Sequence, residues 1–327
     1  MVQTPLREVV DCFPRLQILV VGDVILDRYW WGEASRLSPE APVPVLVKRN
    51  TTARPGGAAN AAANVAALGA KVELMGIVGE DREAAELQTA LKEEKIGAAS
   101  LLKSPDRPTT TKTRLIAGHQ HIVRLDEEDT KAIGSELTDK FIADFKRQIE
   151  SSDAVLVSDY AKGLLTPSLL VSLLEAAKAT GKPAFVDPKG LDFMRYRGAT
   201  CLKPNRLELG LLMGRSVRNH AETLEAGREL RDRLAGTNLL VTEAADGMTY
   251  FAASGEEFHI SSASRQVFDI TGAGDTVLAS FALAVTAGAA IPDAMRVASV
   301  AAGISIATLG AATVSPEQLR QGLAASV

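Results

Sequence analysis

The run Asp269-Ile270-Thr271-Gly272-Ala273-Gly274-Asp275-Thr276 sets two glycines and an aspartate between a β-like stretch and a long Ala-rich helical segment. Neither glycine has a Cβ to block a close approach, so successive backbone N–H groups can turn toward one point. The start of the following helix adds partial positive charge at that point. Gly272, Ala273 and Gly274 are therefore expected to form an anion hole for a phosphate in transfer. Asp275 stands at its rim, where a base must stand to take the proton of an attacking hydroxyl. Alone, the same residues describe a Gly-rich turn with an aspartate cap, so the reading depends on what the rest of the chain brings to the same place.

The elements that must position these groups follow a βα rhythm. Leu16 to Val21 is a continuous apolar run ending at Gly22, the pattern of a strand buried on both faces in a parallel sheet. Asp23 and Asp27 follow it, and Asp27 can accept bonds from sugar hydroxyls. Gly56-Gly57-Ala58-Ala59-Asn60 opens a helix expected to reach about Leu68, with Gly69 ending it and Asn60 on the first turn, able to read a hydroxyl. Residues 71–78 read as a strand and 81–95 as an amphipathic helix. From Asp153 onward each apolar strand ends in polar residues: Asp159-Tyr160-Ala161-Lys162-Gly163, Asp187-Pro188-Lys189, Lys203-Pro204-Asn205 and Thr242-Glu243, with Glu208 on the helix after Asn205. Such convergence at carboxyl ends marks the ligand crevice of a doubly wound α/β sheet. Helices are expected over 167–180 and 295–308, and a hairpin over 248–253 and 257–260.

Two segments interrupt this rhythm. Tyr29-Trp30-Trp31 and Pro42 to Val47 suggest short edge strands forming a lid or an interface. Residues 109–115 and 121–126 suggest an antiparallel pair turning at Ala117-Gly118. This pair carries Lys112, Arg114 and Arg124, which together with Lys162 are candidates to bind a substrate phosphate. His119 and His121 have the spacing of one strand face, but no third ligand lies nearby and zinc is not expected there.

Composition removes several classes. The chain has 327 residues, a net charge of −4 and two cysteines, Cys12 and Cys201. The slight acidity gives no electrostatic case for nucleic acid, and the thiols without a Cys-x-x-Cys pair fit a reducing cytoplasm. Val297 to Pro316 is uncharged, but it is built of small residues and reads as a buried helix and loop rather than a membrane span. No Gly-x-x-x-x-Gly-Lys-Ser/Thr loop is present, and no Gly-x-Gly-x-x-Gly follows the first strand. What is left fits phosphoryl transfer to a hydroxyl, with a divalent cation near Glu208, direct or through water, neutralising a nucleotide.

On Gly56-Gly57-Ala58-Ala59-Asn60 and Asp269 to Thr276, the chain resembles the ribokinase-like, or PfkB, family of sugar kinases over nearly its whole length. Within it, Arg36 to Val45, Arg124-Leu125-Asp126, Asp159 to Gly163 and Asp187-Pro188-Lys189-Gly190 look like the heptose-7-phosphate kinases. The resemblance implies a three-layer αβα fold in one domain over 1–327, with lid segments at about 28–55 and 109–126. It implies Asp275 as base, and Asp27, Gly56, Gly57 and Asn60 around the sugar. ATP and Mg²⁺ are implied at Lys189, Asn205, Glu208, Thr242, Glu243 and Gly247. A monovalent cation such as K⁺ is implied at Asp269 and Thr271, with partners near 308–315. The implied reaction phosphorylates C1 of D-glycero-β-D-manno-heptose 7-phosphate on the way to ADP-heptose for lipopolysaccharide. A homodimer through the lid, a cytoplasmic location and a separate nucleotidyltransferase acting downstream complete the expectation. Another sugar or nucleoside as acceptor, or a silent sugar-phosphate sensor, are the competing readings.

Overall fold

A computed structural model describes residues 6–262, 270–307 and 312–325. Its strands in chain order are β1 (Gln17–Gly22), β2 (Val24–Leu37), β3 (Pro44–Gly57), β4 (Lys71–Gly79), β5 (Leu101–Ser104), β6 (Thr111–Ala117), β7 (Gln120–Glu127), β8 (Ala154–Ser158), β9 (Ala184–Asp187), β10 (Cys201–Leu202), β11 (Asn238–Thr242), β12 (Met248–Phe251) and β13 (Glu257–Ile260). The helices are α1 (Leu6–Cys12), α2 (Ala58–Ala67), α3 (Arg82–Glu93), α4 (Ser135–Glu150), α5 (Pro167–Ala179), α6 (Arg206–Leu212), α7 (His220–Leu234), α8 (Ala273–Thr286), α9 (Ile291–Ser305) and α10 (Pro316–Ala325).

The strands make two sheets. The larger runs β13-β12-β11-β10-β9-β8-β1-β4-β5, parallel from β11 to β5, with β12 and β13 antiparallel at one edge. β1 is apolar from Ile18 to Val21 because both its faces are covered there. Ile18 and Val20 enter a core shared with α2, α8 and α9, while Leu19 and Val21 enter a second core with α4, α5 and α7. That is a three-layer αβα arrangement. From β1 the chain order climbs outward through β4 and β5, whereas from β8 it climbs the other way through β11. The switch between β1 and β8 opens a crevice at the strands' carboxyl ends. There the Asp23 amide donates to the Ser158 carbonyl at 3.2 Å.

The smaller sheet runs β3-β2-β6-β7. The sequence suggested short strands where β2 and β3 are each 14 residues long. The prolines do not shorten them: Pro42 lies before β3, Pro44 is its first residue, and β3 is an edge strand, where a missing N–H costs no ladder bond. The sheet therefore reaches past 28–55 at both ends. His119 is in the β6–β7 turn and His121 is on β7, so the two do not share a strand face as expected.

Gly57 starts α2 with φ +57, and a Cβ there would sit 2.4 Å from the Asp23 carbonyl oxygen, which only glycine avoids. The Ala-rich face of α2 packs close on α8, where the Thr276 hydroxyl donates to Asn64 Oδ1 at 2.7 Å. The helix expected over 295–308 spans Ile291–Ser305, begun by Pro292 in its first turn. α1, α4, α7, α10 and the strand β5 were not anticipated.

Candidate active site

Asp275 is on the first turn of α8 and is 4% exposed. Its Oδ2 accepts from Asn60 Nδ2 at 2.5 Å and from the Tyr160 hydroxyl at 3.4 Å. Its Oδ1 is buried and has no partner among the described residues. Burial, and then the charge of Asp187, push its pKa up to about 7, against the opposing pull of Asn60, Lys203 and Tyr160. A carboxylate poised there can exchange a proton near neutral pH. Tyr160 stays a neutral donor, because the Asp275 charge and its own burial push its pKa far up.

Gly272 takes the left-handed conformation, φ +80, and caps α8. Helix geometry leaves the first amides of α8 without intrahelical acceptors. The Ala273 amide is already turned to the Ile270 carbonyl at 3.2 Å, so Gly274 and Asp275 offer the freer donors of the expected anion hole. A Cβ on Gly274 would come within 3.3 Å of Lys203 Nζ and 3.8 Å of Asp187 Oδ2. Lys203 and Asp187 thus stand before the helix start, paired at 3.1 Å. Burial works against the lysine's charge, but the carboxylates of Asp187, Glu208 and Asp275 outweigh it and hold its pKa above the ordinary value.

A cavity of about 950 Å³ extends from this point, bordered by Asp187, Lys203, Asn205, Thr242, Gly247 and Gly274. Leu207, Val217, Met248 and Ile306 give it an apolar wall. Asn205 and Glu208 form a capping box on α6: Oδ1 of Asn205 accepts from the Glu208 amide at 2.8 Å, and Glu208 Oε2 from the Asn205 amide at 3.0 Å. Glu208 Oε1 is 3.1 Å from Lys189 Nζ. With both oxygens engaged, a divalent ion fits beside Glu208 more readily through water than by direct ligation.

Glu243 corrects the sequence reading. The residue borders the cavity, but its carboxylate is fully buried and bonded to Arg206, His220 and Thr249. Burial raises its pKa, and the bonds from Thr249, Arg206 and His220 outweigh that and keep it low. Its carboxylate braces the wall and does not face the cavity.

Lys112, Arg114 and Arg124 share one face of the smaller sheet, and Lys162 comes from the loop after β8. Register pairs Asp27 with Lys112, Tyr29 with Arg114, Lys112 with Asp126 and Arg114 with Arg124. Each cation has a carboxylate: Arg114 pairs with Asp27, Lys112 (3.7 Å) and Arg124 (2.7 Å) with Asp126, and Lys162 with Glu128 at 2.7 Å. Gly56 lies against Asp27, where a Cβ would meet Oδ2 at 2.3 Å. Asp23 is buried and holds the loop after β8 by accepting from the Tyr160 and Lys162 amides at 2.9 and 3.0 Å. Asp269 and 308–311 lie outside the described residues, and Thr271 is within them. Sequence reasoning missed Tyr160, Asp187 and Lys203 as site residues; their place at the ends of β8, β9 and β10 was the available signal. No described helix is long and apolar enough to cross a membrane.

A family model described as pfkB family carbohydrate kinase matches residues 15–318. The chain is 42% identical over 304 residues to "Bifunctional protein HldE" of Trichlorobacter lovleyi, covering 93% of this chain and 62% of that protein. It is also 42% identical over 315 residues to the protein of the same name from Gluconobacter oxydans, covering 96% and 66%. The chain thus spans less than two thirds of the Trichlorobacter relative. Among solved structures, Arabidopsis thaliana ribokinase complexed with ribose and ATP aligns over 94% of this chain and 98% of that one, with TM-score 0.74 and 21% identity. Escherichia coli Phosphofructokinase-2 in complex with potassium aligns over 95% and 98%, with TM-score 0.76 and 17% identity. At such identities the likeness speaks for the fold, which is ribokinase-like. The chain belongs to the pfkB family of carbohydrate kinases, enzymes that transfer a phosphoryl group to a sugar hydroxyl.

Proposed function

We propose that this chain moves the γ-phosphoryl group of ATP to the anomeric C1 hydroxyl of D-glycero-β-D-manno-heptose 7-phosphate, giving the 1,7-bisphosphate. The observation that carries the kinase reading is Asp275: one oxygen is fixed by Asn60 and the other is buried without a partner among the described residues, at the start of a glycine-capped helix. In the step, the acceptor oxygen forms its bond to Pγ, the bond from Pγ to the β-phosphate oxygen breaks, the hydroxyl proton passes to Asp275 and ADP leaves. Asn60 and Tyr160 keep the carboxylate aimed, while the Gly274 amide and Lys203 face the transferring group. The apolar-walled cavity suits the nucleoside, and a Mg²⁺ ion near Glu208 and Asp187 would supply further neutralisation of the phosphates. The donors there, carboxylates and an amide oxygen, are the hard ligands that Mg²⁺ takes.

The set of Lys112, Arg114, Arg124 and Lys162 supports an acceptor that already carries a phosphate. Its cations are held ready by carboxylates that a dianion would displace. The relatives at 42% identity support the heptose assignment. On this reading the smaller sheet is the lid and a second copy of the chain covers its outer face. A monovalent ion, as in the potassium complex of Phosphofructokinase-2, would sit by Thr271 and Asp269. The bisphosphate then feeds ADP-heptose and lipopolysaccharide synthesis in the cytoplasm, with a nucleotidyltransferase acting later.

An ADP-release assay across heptose 7-phosphate, other sugar phosphates, free sugars and nucleosides tests the assignment, with product position read by phosphorus NMR. Heptose 7-phosphate is expected to turn over best and to gain a second, anomeric phosphate signal. Preference for an unphosphorylated acceptor would overturn the substrate, and sugar-phosphate binding without ADP release would overturn the enzyme.

A further inference from the structure

Apart from the crevice, His220 at the start of α7, Glu243 after β11 and His259 on β13 converge. One nitrogen of each imidazole and one carboxylate oxygen all lie within 4.8 Å of one another. His220 Nδ1 is 3.1 Å from Glu243 Oε2 and 3.3 Å from Oε1, and His259 Nδ1 is 3.7 Å from Oε1. The two rings lean together, with centroids 4.1 Å apart and planes at 48°. A tetrahedral zinc ion with bonds of about 2.0–2.1 Å holds its ligand atoms about 3.3 Å apart. The two spacings from the imidazole nitrogens to Glu243 Oε1, 3.3 and 3.7 Å, lie within a few tenths of an ångström of that value.

The surroundings are organised as metal sites are. Arg206 holds Glu243 Oε2 at 2.9 Å and so orients the carboxylate from outside, while the Thr249 hydroxyl donates to Oε1 and lies 3.0 Å from His259 Nδ1, a contact the ion would replace. Arg206 also binds Asp246 at 2.6 Å, which leaves one net negative charge among these three groups when both imidazoles are neutral. The side chains of His220 and His259 are 38% and 32% exposed, so a fourth position is open to water. We propose that His220, Glu243 and His259 bind a late first-row divalent cation of the zinc class, through Nδ1 of both imidazoles and Glu243 Oε1, with water completing the coordination. Two imidazoles select against Mg²⁺, whose preference is for oxygen. The ion takes no part in phosphoryl transfer. It clamps α7, the turn after β11 and β13 together behind the wall formed by Ala244 and Gly247.

The test loads the full chain with zinc sulfate, dialyses it, and reads bound metal by mass spectrometry and the melting temperature with and without zinc. The variants are His220→Asn and His259→Asn, with His119→Asn/His121→Asn as the control. Glu243→Gln is uninformative, because that carboxylate also holds the fold. About one zinc per chain is expected, undisplaced by millimolar Mg²⁺. Each single variant should lose at least about tenfold in affinity and lose the zinc-induced rise in melting temperature. The proposal is overturned if the unaltered chain retains no zinc, if Mg²⁺ displaces it, if the His220 and His259 variants bind as well as the parent, or if the control loses binding instead.

Discussion

Asp275 shows how burial is turned to use. Its folded pKa of about 7 lies above the ordinary 3.8, so the folded chain holds this proton more tightly than the unfolded chain does. The stabilisation is fully present below about pH 4, is lost as pH rises toward 7, and is gone above it. Three pKa units correspond to roughly 4 kcal/mol. Asp275→Asn removes the titration. That variant is expected to melt at a higher temperature than the parent at pH 8, with the gap closing toward pH 4, in thermal melts across the pH range. Its turnover should fall by about 10²–10⁴-fold while nucleotide binding remains. A parent more stable than the variant at pH 8 would refute the burial argument. Asp275 and Asn60 were legible in the sequence because each stands beside glycines that open a helix. Tyr160, Asp187 and Lys203 were not, because each gains its role from a distant partner: Tyr160 from Asp275 on α8, Asp187 and Lys203 from each other. The inward turn of the Glu243 carboxylate was not legible, because a position at a strand end does not reveal which way its side chain turns.

At the scale of elements, the approach of β3 to β2 decides how the acceptor end is shaped. Gly56 lets the β3 backbone pass Asp27 without touching its carboxylate. In Gly56→Ala the new methyl collides chiefly with the movable carboxyl group of Asp27 and comes only to 3.3 Å from the Ile25 carbonyl oxygen, so the melting temperature should shift by only a few degrees. Losing one bond between a charged group and the acceptor costs about 1.5–3 kcal/mol. The acceptor kcat/KM should therefore drop at least about tenfold, with the nucleotide KM nearly unchanged, in steady-state kinetics. An equal rise in the nucleotide KM would count against Asp27 as an acceptor ligand. The βα rhythm was readable because the strands are apolar on both faces. α4 was missed although Phe141, Phe145 and Ile149 recur at helical spacing, since polar residues dominate the remainder. The length of β2 was hidden because part of its pairing is with β6, a distant segment.

Across the whole molecule, the smaller sheet has two unlike faces. Arg124 points to the cationic side, while its neighbours Val123 and Leu125 point outward and are each 51% exposed. If a second copy covers that face, the double substitution Val123→Glu/Leu125→Glu should raise the dimer dissociation constant at least tenfold in sedimentation velocity, since two buried charges cost more than about 1.4 kcal/mol. An unchanged sedimentation coefficient would place any contact elsewhere. The bond from Asn60 to Asp275 joins positions 215 residues apart. Neither partner is aligned until the other has been synthesised and packed against it. A chain still emerging from the ribosome therefore leaves this carboxylate unaimed until α8 has formed and packed against α2.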